Sequence, residues 1–254
     1  MQAVTKAMIL AAGLGTRLRP LTNDRPKALV AINGRTLLEI AIERLRGIGI
    51  SEIVVNTHHF ADRIRDYLGA NRNFGLCIEI SHEDELLDTG GGLKNAAWFF
   101  LDGKEPGDPA LAPFVLHNVD VISEIDLARM AKFHQEQNAL ATLAVQERET
   151  SRYLLFDEHG NLCGRRKGRG GDPEFARPVQ TIHARAFCGI HVISPRIFGL
   201  MTDTGAFSII DAYLRLAAQG EKVVAFRADG FRWRDLGTAK SVAEAEKQLL
   251  ASSS

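Results

Sequence analysis

The sequence predicts an α/β fold: a Rossmann-like, doubly wound, mostly parallel sheet joined to a smaller, β-rich half. Three observations carry this reading. Short apolar runs alternate with amphipathic helical patterns from about residue 8 to residue 120. The first of those runs ends on a glycine turn crowded with cations. Beyond residue 120 strand-like segments follow one another with less helix between them.

Residues 8–12, Met-Ile-Leu-Ala-Ala, read as a strand covered on both faces. Gly13-Leu14-Gly15-Thr16 then permits a tight turn whose backbone N–H groups point outward, a concavity suited to phosphate. Arg17, Arg19, Arg25 and Lys27 follow against a single acid, Asp24. A cationic loop at the carboxyl end of a strand offsets the charge repulsion of a nucleoside triphosphate, while the plain alternative is a surface turn with solvated arginines. Two other glycine motifs are excluded. The dinucleotide pattern fails because Leu18 stands where its third glycine should be, and no Gly-Lys-Ser/Thr of a P-loop occurs.

Residues 28–32 read as a strand and 36–47 as a helix with Leu37, Leu38, Ile40, Ala41 and Leu45 on its apolar side. A strand over 53–56, a helix over 60–68 and a strand over 76–80 continue the alternation. Residues 90–100 should be helical after a glycine-rich start, and 113–116 form a strand leading into Asn118-Val119-Asp120. This β-α-β rhythm places a ligand crevice at the carboxyl ends of the strands. In the second half, 139–145, 153–156, 187–193, 223–227 and 231–234 read as extended segments, and 208–218 and 238–249 as helices. Residues 164–171 read as a basic, glycine-rich loop, and Ser252-Ser253-Ser254 as a frayed end. No stretch has linker composition and no repeat is visible. The expectation is one domain over 1–254, with halves of about 1–120 and 121–254.

The chain has 31 basic and 31 acidic residues, so no net charge points to nucleic acid or an acidic membrane as partner. No apolar run is long enough to span a bilayer, and no apolar signal segment follows the first residues. Cys77, Cys163 and Cys188 are widely spaced without a C-x-x-C pattern, which fits small core residues in a reducing cytoplasm.

Asp120 and Asp235 are the candidate metal ligands, since magnesium takes one or two carboxylates plus phosphate oxygens and water. Each has a plainer reading, Asp120 as a turn residue and Asp235 as a cap for the helix near Thr238. Asp88-Thr89-Gly90-Gly91-Gly92 would let a base or ribose lie against the backbone, or is a loose loop capped by Asp88. His58-His59 at a strand end is expected to cap the next helix or line the crevice. His117 is expected to be a satisfied core histidine, and Trp98-Phe99-Phe100 to be core. Arg165, Arg166, Lys167 and Arg169 form either a solvated charge run or a lid over phosphates.

The run from Leu10 to Thr22, Leu-Ala-Ala-Gly-Leu-Gly-Thr-Arg-Leu-Arg-Pro-Leu-Thr, followed by Pro26-Lys27, resembles the signature of the sugar-1-phosphate nucleotidyltransferases. Asp88–Gly92, Asn118-Val119-Asp120 and Trp233-Arg234-Asp235-Leu236-Gly237-Thr238 add to the resemblance, which covers the whole chain at the level of motifs. Within the family it is most similar to short bacterial enzymes of the N-acetylmuramate-1-phosphate uridylyltransferase type. It departs from them at Val119, where glycine is frequent.

The resemblance implies transfer of a nucleotidyl group from an NTP, UTP by preference, to a sugar 1-phosphate, with release of pyrophosphate. The GTP-dependent alternative acts on a mannose- or heptose-type 1-phosphate. It implies Lys27 on the α-phosphate and the incoming phosphate, and Arg17 on the β- and γ-phosphates. Ala11, Ala12, Gly13, Gly15, Thr16, Asp88, Thr89 and Gly90 would bind the nucleotide, and Asn118 and Gly189 the sugar phosphate in an acceptor-binding second half. Asp120 and Asp235 would hold Mg²⁺, with Mn²⁺ able to substitute, and the protein would be a monomer or small homo-oligomer. Two other readings are a catalytically silent nucleotide-sugar sensor and a cytidylyltransferase for a non-sugar alcohol phosphate. Retention of Arg17, Lys27, Asp120 and Asp235 favours catalysis over the sensor.

Overall fold

Ala7 and Ile9 of the first strand turn to one layer of helices and Met8 to the other, so its uninterrupted apolar run is what a sheet covered on both faces requires. The computed structural model describes residues 2–251, and the expected frayed end at 252–254 lies outside them. In chain order the strands are β1 (Lys6–Leu10), β2 (Ala31–Ile32), β3 (Arg35–Thr36), β4 (Glu52–Thr57), β5 (Cys77–His82), β6 (Phe114–Asn118) and β7 (Val121–Ser123). The second half adds β8 (Ala141–Gln146), β9 (Arg152–Phe156), β10 (Leu162–Lys167), β11 (Pro173–Phe175), β12 (His183–Ile193), β13 (Val223–Arg227) and β14 (Trp233–Asp235). The helices are α1 (Leu37–Arg46), α2 (Ala61–Ala70), α3 (Asp88–Asn95), α4 (Ala97–Leu101), α5 (Leu127–Glu136), α6 (Ile197–Leu200), α7 (Ile209–Ala218) and α8 (Ala239–Ala251).

The large sheet runs β11-β10-β9-β12-β6-β1-β4-β5, with β8 beside β12 and β13 beside β8. Strands β6, β1, β4 and β5 are mutually parallel, and β12 enters antiparallel to β6 to begin the β-rich part. Apolar side chains of α1, α2, α5 and α8 cover one face, and those of α3, α4, α6 and α7 the other. This is the doubly wound mixed α/β architecture expected from the alternation. Local signals agree with it: Thr36, Asp126 and Ser208 accept backbone N–H groups at the starts of α1, α5 and α7.

Several boundaries differ from the sequence reading. β1 begins at Lys6 and ends at Leu10, which puts Ala11 and Ala12 in the loop. Residues 28–32 do not join the large sheet. A short 3-10 turn over Lys27–Leu29 is followed by β2, which pairs only with β3. Residues 164–167, expected in a loop, belong to β10 because β9 and β11 pair with them on both sides. Cys163 and Cys188 are core residues, whereas Cys77 is exposed at the start of an edge strand. Phe99 and Phe100 are buried but Trp98 is 52% exposed. Among the described residues no helix is long and apolar enough to cross a membrane.

One small feature decides where the site forms. β7 and β14 make a separate antiparallel ribbon with Asp235 opposite Val121, and Leu236 N donates to Asp120 O at 2.8 Å. Residues far apart in sequence therefore meet at the carboxyl end of β6.

Burial also makes the fold sensitive to acid. Desolvation, with Arg44 nearby, holds His117 down at about 4; desolvation and Arg196 hold His134 at about 4; desolvation and His117 hold His191 at about 3. Above the ordinary histidine value folded and unfolded chains both carry these rings neutral. As pH falls from about 6.5 toward 4 the unfolded chain takes up protons that the folded chain refuses, so stability falls with pH, by on the order of 3 kcal/mol per ring. The urea midpoint is expected to drop markedly between pH 7 and pH 5. His134→Gln, able to keep a bond to Thr142 in place of the 2.9 Å His134 Nδ1 contact, should shallow that slope. Equal midpoints at both pH values in the unaltered protein would contradict the account.

Candidate active site

The first loop is shaped by one left-handed glycine. Gly15 has φ 65°, and a Cβ there would stand 3.0 Å from Thr22 Cγ2 and 3.3 Å from Lys27 Cβ. Thr22 Oγ1 donates to Gly15 O at 2.8 Å and closes the loop on itself. Among the described residues the amides of Gly13, Leu14, Gly15, Thr16 and Arg17 have no protein acceptor, so consecutive N–H groups remain for an anion. Arg17 is exposed, and Lys27 returns behind Pro26 to bond Asp120 through Nζ.

The candidate metal carboxylates meet above that loop. A Cβ built on Gly237 would stand 2.7 Å from Asp235 Oδ1, 3.0 Å from Arg17 Nη2 and 3.1 Å from Asp120 Oδ2. The two carboxylates are thus no further apart than the first and last of those distances combined. That is within reach of one hard cation with oxygen ligands at about 2.1 Å after a small side-chain rotation. Asp235 Oδ1 also accepts from Gly237 N at 2.6 Å, which holds the carboxylate inward. Among the described residues no third His, Cys, Asp or Glu joins them. An all-oxygen donor set that leaves most of an octahedron to phosphate and water suits Mg²⁺.

The glycine cluster takes a different form from the open turn expected. Residues 88–95 are helical, and Gly90, Gly91 and Gly92 are buried. Gly90 N donates to Phe207 O at 2.9 Å, and a Cβ on Gly90 would collide with the Phe207 ring. A Cβ on Gly91 would sit 2.5 Å from Gly205 O. These glycines let α3 approach the segment before α7, and the Gly90 N–H is engaged by Phe207 O. Asp88 is exposed with φ 58°, and Thr89 Oγ1 accepts from Ile209 N at 3.0 Å.

Ala11 and Ala12 are buried at the floor of the loop. Ala11 N donates to Asn56 Oδ1 at 2.7 Å, Asn56 Nδ2 to Glu83 Oε1 at 2.7 Å, and Leu87 N to Glu83 Oε2 at 3.0 Å. Asn56 and Glu83 escaped the sequence reading, although polar residues at the ends of apolar strands were their visible signal. The relay ties the first loop to α3.

Across the carboxyl end of β6, Gly189 lies in a β-bulge of β12 with φ 71°. It is buried, and a Cβ there would stand 2.8 Å from Asn118 Nδ2 and 2.9 Å from Val121 Cγ2. The space on the Cβ side of Gly189 is thus taken up by the Asn118 amide and Val121. His117 is fully buried, with Nδ1 on Asn118 O at 2.8 Å but Nε2 without a partner, so it is only half satisfied. His58 Nδ1 meets Glu83 O at 2.9 Å, and His58 and His59 line an outer cavity of about 580 Å³ with His82 and Arg63.

The family model described as nucleotidyl transferase matches residues 6–158. N-acetylmuramate alpha-1-phosphate uridylyltransferase of Caulobacter vibrioides is 33% identical across 98% of both chains. UTP–glucose-1-phosphate uridylyltransferase of Synechocystis is 28% identical over 97% of this chain and 63% of its own, and mannose-1-phosphate guanyltransferase of Yarrowia lipolytica 30% over 92% and 61%. The chain therefore spans nearly all of the first relative and a little over three fifths of the others. Among solved structures, HddC from Yersinia pseudotuberculosis complexed with GMP-PN superposes with a TM-score of 0.73 at 22% identity, covering 97% of this chain and 100% of its own. The inositol-1-phosphate CTP transferase of T. maritima gives 0.74 at 16%, covering 98% and 97%. These structures share the fold.

Gly92 offers a test of the buried relay. A Cβ there would stand 2.6 Å from Glu83 Oε1 and 2.8 Å from Asn56 Nδ2. Gly92→Ala is expected to cost about 1–3 kcal/mol of stability despite the better helix propensity of alanine. Urea unfolding measures it, and an unchanged or raised midpoint would show that the relay yields freely.

Proposed function

Because the chain belongs to the nucleotidyl transferase family, we propose that it transfers the uridylyl group of UTP to a sugar 1-phosphate, N-acetylmuramate 1-phosphate above others, giving a UDP-sugar and pyrophosphate. The observation that carries this reading is the convergence of Asp120, Asp235 and Arg17 on the space left by Gly237, with Lys27 bonded to Asp120. The choice of UTP and of this acceptor rests on the relative that matches along its whole length. Guanylyl transfer to a mannose-type 1-phosphate is the second reading, supported by the guanyltransferase relative.

In the reaction a phosphate oxygen of the acceptor attacks the α-phosphorus, and the bond to the bridging oxygen of pyrophosphate breaks. Both reactants are anions, so their approach must be offset by fixed positive charge. Lys27 is placed to hold the α-phosphate and the incoming phosphate, and Arg17 the β- and γ-phosphates that leave. The amides of Gly13, Gly15 and Thr16 add dipoles that need no reorganisation. Ala11 and Ala12 floor the nucleotide side, Asp88 and Thr89 border it, and Asn118 faces the acceptor. Asp120 and Asp235 would hold Mg²⁺, or Mn²⁺ in its place, and the ion would neutralise charge between the two phosphates.

The proposal includes a single domain with nucleotide- and acceptor-binding halves of about 1–120 and 121–254. It also includes a cytoplasmic location, a monomeric or small homo-oligomeric state, and no nucleic-acid or membrane partner. Turnover of the four NTPs against a panel of sugar 1-phosphates, read as pyrophosphate, tests the substrates. The highest kcat/KM is expected for UTP with N-acetylmuramate 1-phosphate; a maximum with GTP and a mannose-type acceptor would establish the second reading.

Charge removal tests the site. Lys27→Ala is expected to lower kcat/KM about a hundredfold or more and, by leaving the buried Asp120 unpaired, to lower the urea midpoint as well; wild-type turnover by the variant that remains folded would remove Lys27 from the reaction. Turnover should vanish in EDTA and return with Mg²⁺ or Mn²⁺. Asp120→Asn combined with Asp235→Asn should be little worse than either alone, because the two serve one ion. Gly237→Ala should raise the Mg²⁺ concentration needed for half-maximal rate, since its methyl enters the space between the carboxylates. Activity undiminished by EDTA would dispose of the metal site.

A further inference from the structure

β12 continues past the carboxyl end of β6: Ile190 pairs with His117, so residues 183–188 project over the crevice. Beyond that point β12 is flanked by β8 and β9, and β9 by β10. Register sets Gln146, Ala186, Tyr153 and Arg166 in one row, on one face. Gln146 Nε2 donates to Ala228 O at 2.8 Å and Phe231 O at 2.9 Å, which identifies this face as the one turned to the segment that leads into β14 and Asp235.

Two arginines on this wall lack a counter-charge. Arg148 stands two residues beyond Gln146, its guanidinium 3.8 Å above the Trp233 ring, with Nη2 donating to Phe187 O at 2.8 Å. Trp233 in turn donates Nε1–H to Cys188 O at 2.7 Å, one residue from Gly189 and two from Asp235. Nη1 of Arg148 makes a 3.4 Å bond to Glu149 O, the guanidinium also touches the Cys188 thiol, and its buried Nε has no partner. Arg166 lies over Tyr153 at 5.6 Å and its Nε is likewise buried and unpartnered. Among the described residues neither guanidinium has a carboxylate within ion-pair distance.

The contrast with neighbouring groups is sharp. Arg165, one position along β10 and so on the opposite face, is bonded to Glu174 and Asp211. The acids nearest Arg148 in sequence are engaged elsewhere, Glu147 with Arg185 and Arg227, Glu149 with Arg169. Arg17 in the phosphate loop shares the lack of a carboxylate partner. Partly buried guanidinium groups left unpaired are costly unless an anion completes them.

We propose that Arg148, supported by Arg166 in the adjoining row, binds a second anionic group of the acceptor: the carboxylate of the lactyl ether that distinguishes N-acetylmuramate from N-acetylglucosamine. The proposal rests on the acceptor proposed above. A planar guanidinium fork matches a carboxylate, and stacking on Trp233 fixes its plane in advance. The same stack joins the acceptor wall to the strand that carries Asp235, so the group that reads the sugar is braced against a metal carboxylate.

The test compares N-acetylmuramate 1-phosphate with N-acetylglucosamine 1-phosphate in the wild type, Arg148→Met and Arg166→Met. The first is read as KM and the second as KM or, where turnover is slow, as an inhibition constant against the first. The wild type should favour the carboxylate-bearing acceptor. Either variant should weaken that acceptor about tenfold or more while changing the neutral one less than twofold. Equal weakening of both acceptors, or no change in either, overturns the assignment of these arginines and leaves the proposed reaction standing. Failure of the wild type to use N-acetylmuramate 1-phosphate with any NTP overturns the proposed acceptor itself. Should Arg148→Met fail to fold, the Arg166→Met ratio decides alone.

Discussion

The contact between Lys27 and Asp120 is the joint on which the crevice depends. Asp120 is 6% exposed at the end of β6, a position in which a carboxylate needs a cation or donors beside it. Lys27 provides one, and in doing so draws the chain after Pro26 back against the first loop, where its Cβ packs beneath Gly15. One ion contact thus ties the phosphate loop, the carboxyl end of the sheet and the ribbon of β7 and β14 together. Its partners are also the groups that a triphosphate and a divalent ion would reorganise. Under the function proposed above Lys27 would face phosphate and Asp120 metal, so the residues that tie the crevice together would also hold its substrates.

Local and long-range information divide cleanly between sequence and structure. The strand, glycine turn and cations from Met8 to Lys27 lie within one stretch, so the strand and the turn that follows it are legible there. The alternation of apolar runs with amphipathic helices was legible for the same reason: each period is set by neighbours a few residues away. The meeting of Asp120 with Asp235 depends on β7 pairing with β14, two strands too short to announce themselves. Only the resemblance linked those two aspartates, and the register explains why it could. Residues 28–32 were misread because a short apolar run does not distinguish a central strand from a turn and hairpin. The run from Gly164 to Lys167 was misread because glycine and like charges hide a strand whose pairing is supplied by β9 and β11.

The glycines show how much a composition signal leaves open. Three glycines in a row state that something approaches the backbone closely, without saying what. For Gly90 and Gly91 the approaching group is the chain at Phe207 and Gly205; for Gly92 it is the Asn56–Glu83 pair. Gly189 yields its space to Asn118, and Gly237 yields its space to two carboxylates and a guanidinium. Only the last lies among the candidate reacting groups themselves. The others act at one remove: Gly90 and Gly91 let the chain at Phe207 and Gly205 close on α3, and Gly92 and Gly189 let polar side chains take positions a methyl group would deny them.

Equal numbers of acids and bases do not mean that every base has an acid beside it. Most arginines away from the crevice are answered by a carboxylate, as Arg165, Arg177, Arg196 and Arg215 are. Arg17, Arg148 and Arg166 are among those that are not, Arg17 in the first loop and the other two on the wall that β8, β9, β10 and β12 form. With no net charge the protein exerts little pull on an anion beyond a Debye length of about 8 Å at physiological salt. Under the acceptor proposed above, selection among anionic sugars would then be made inside the crevice, by the geometry of guanidinium groups without a carboxylate partner. The stacking of Arg148 on Trp233 supplies that geometry without an acid nearby to compete for the charge.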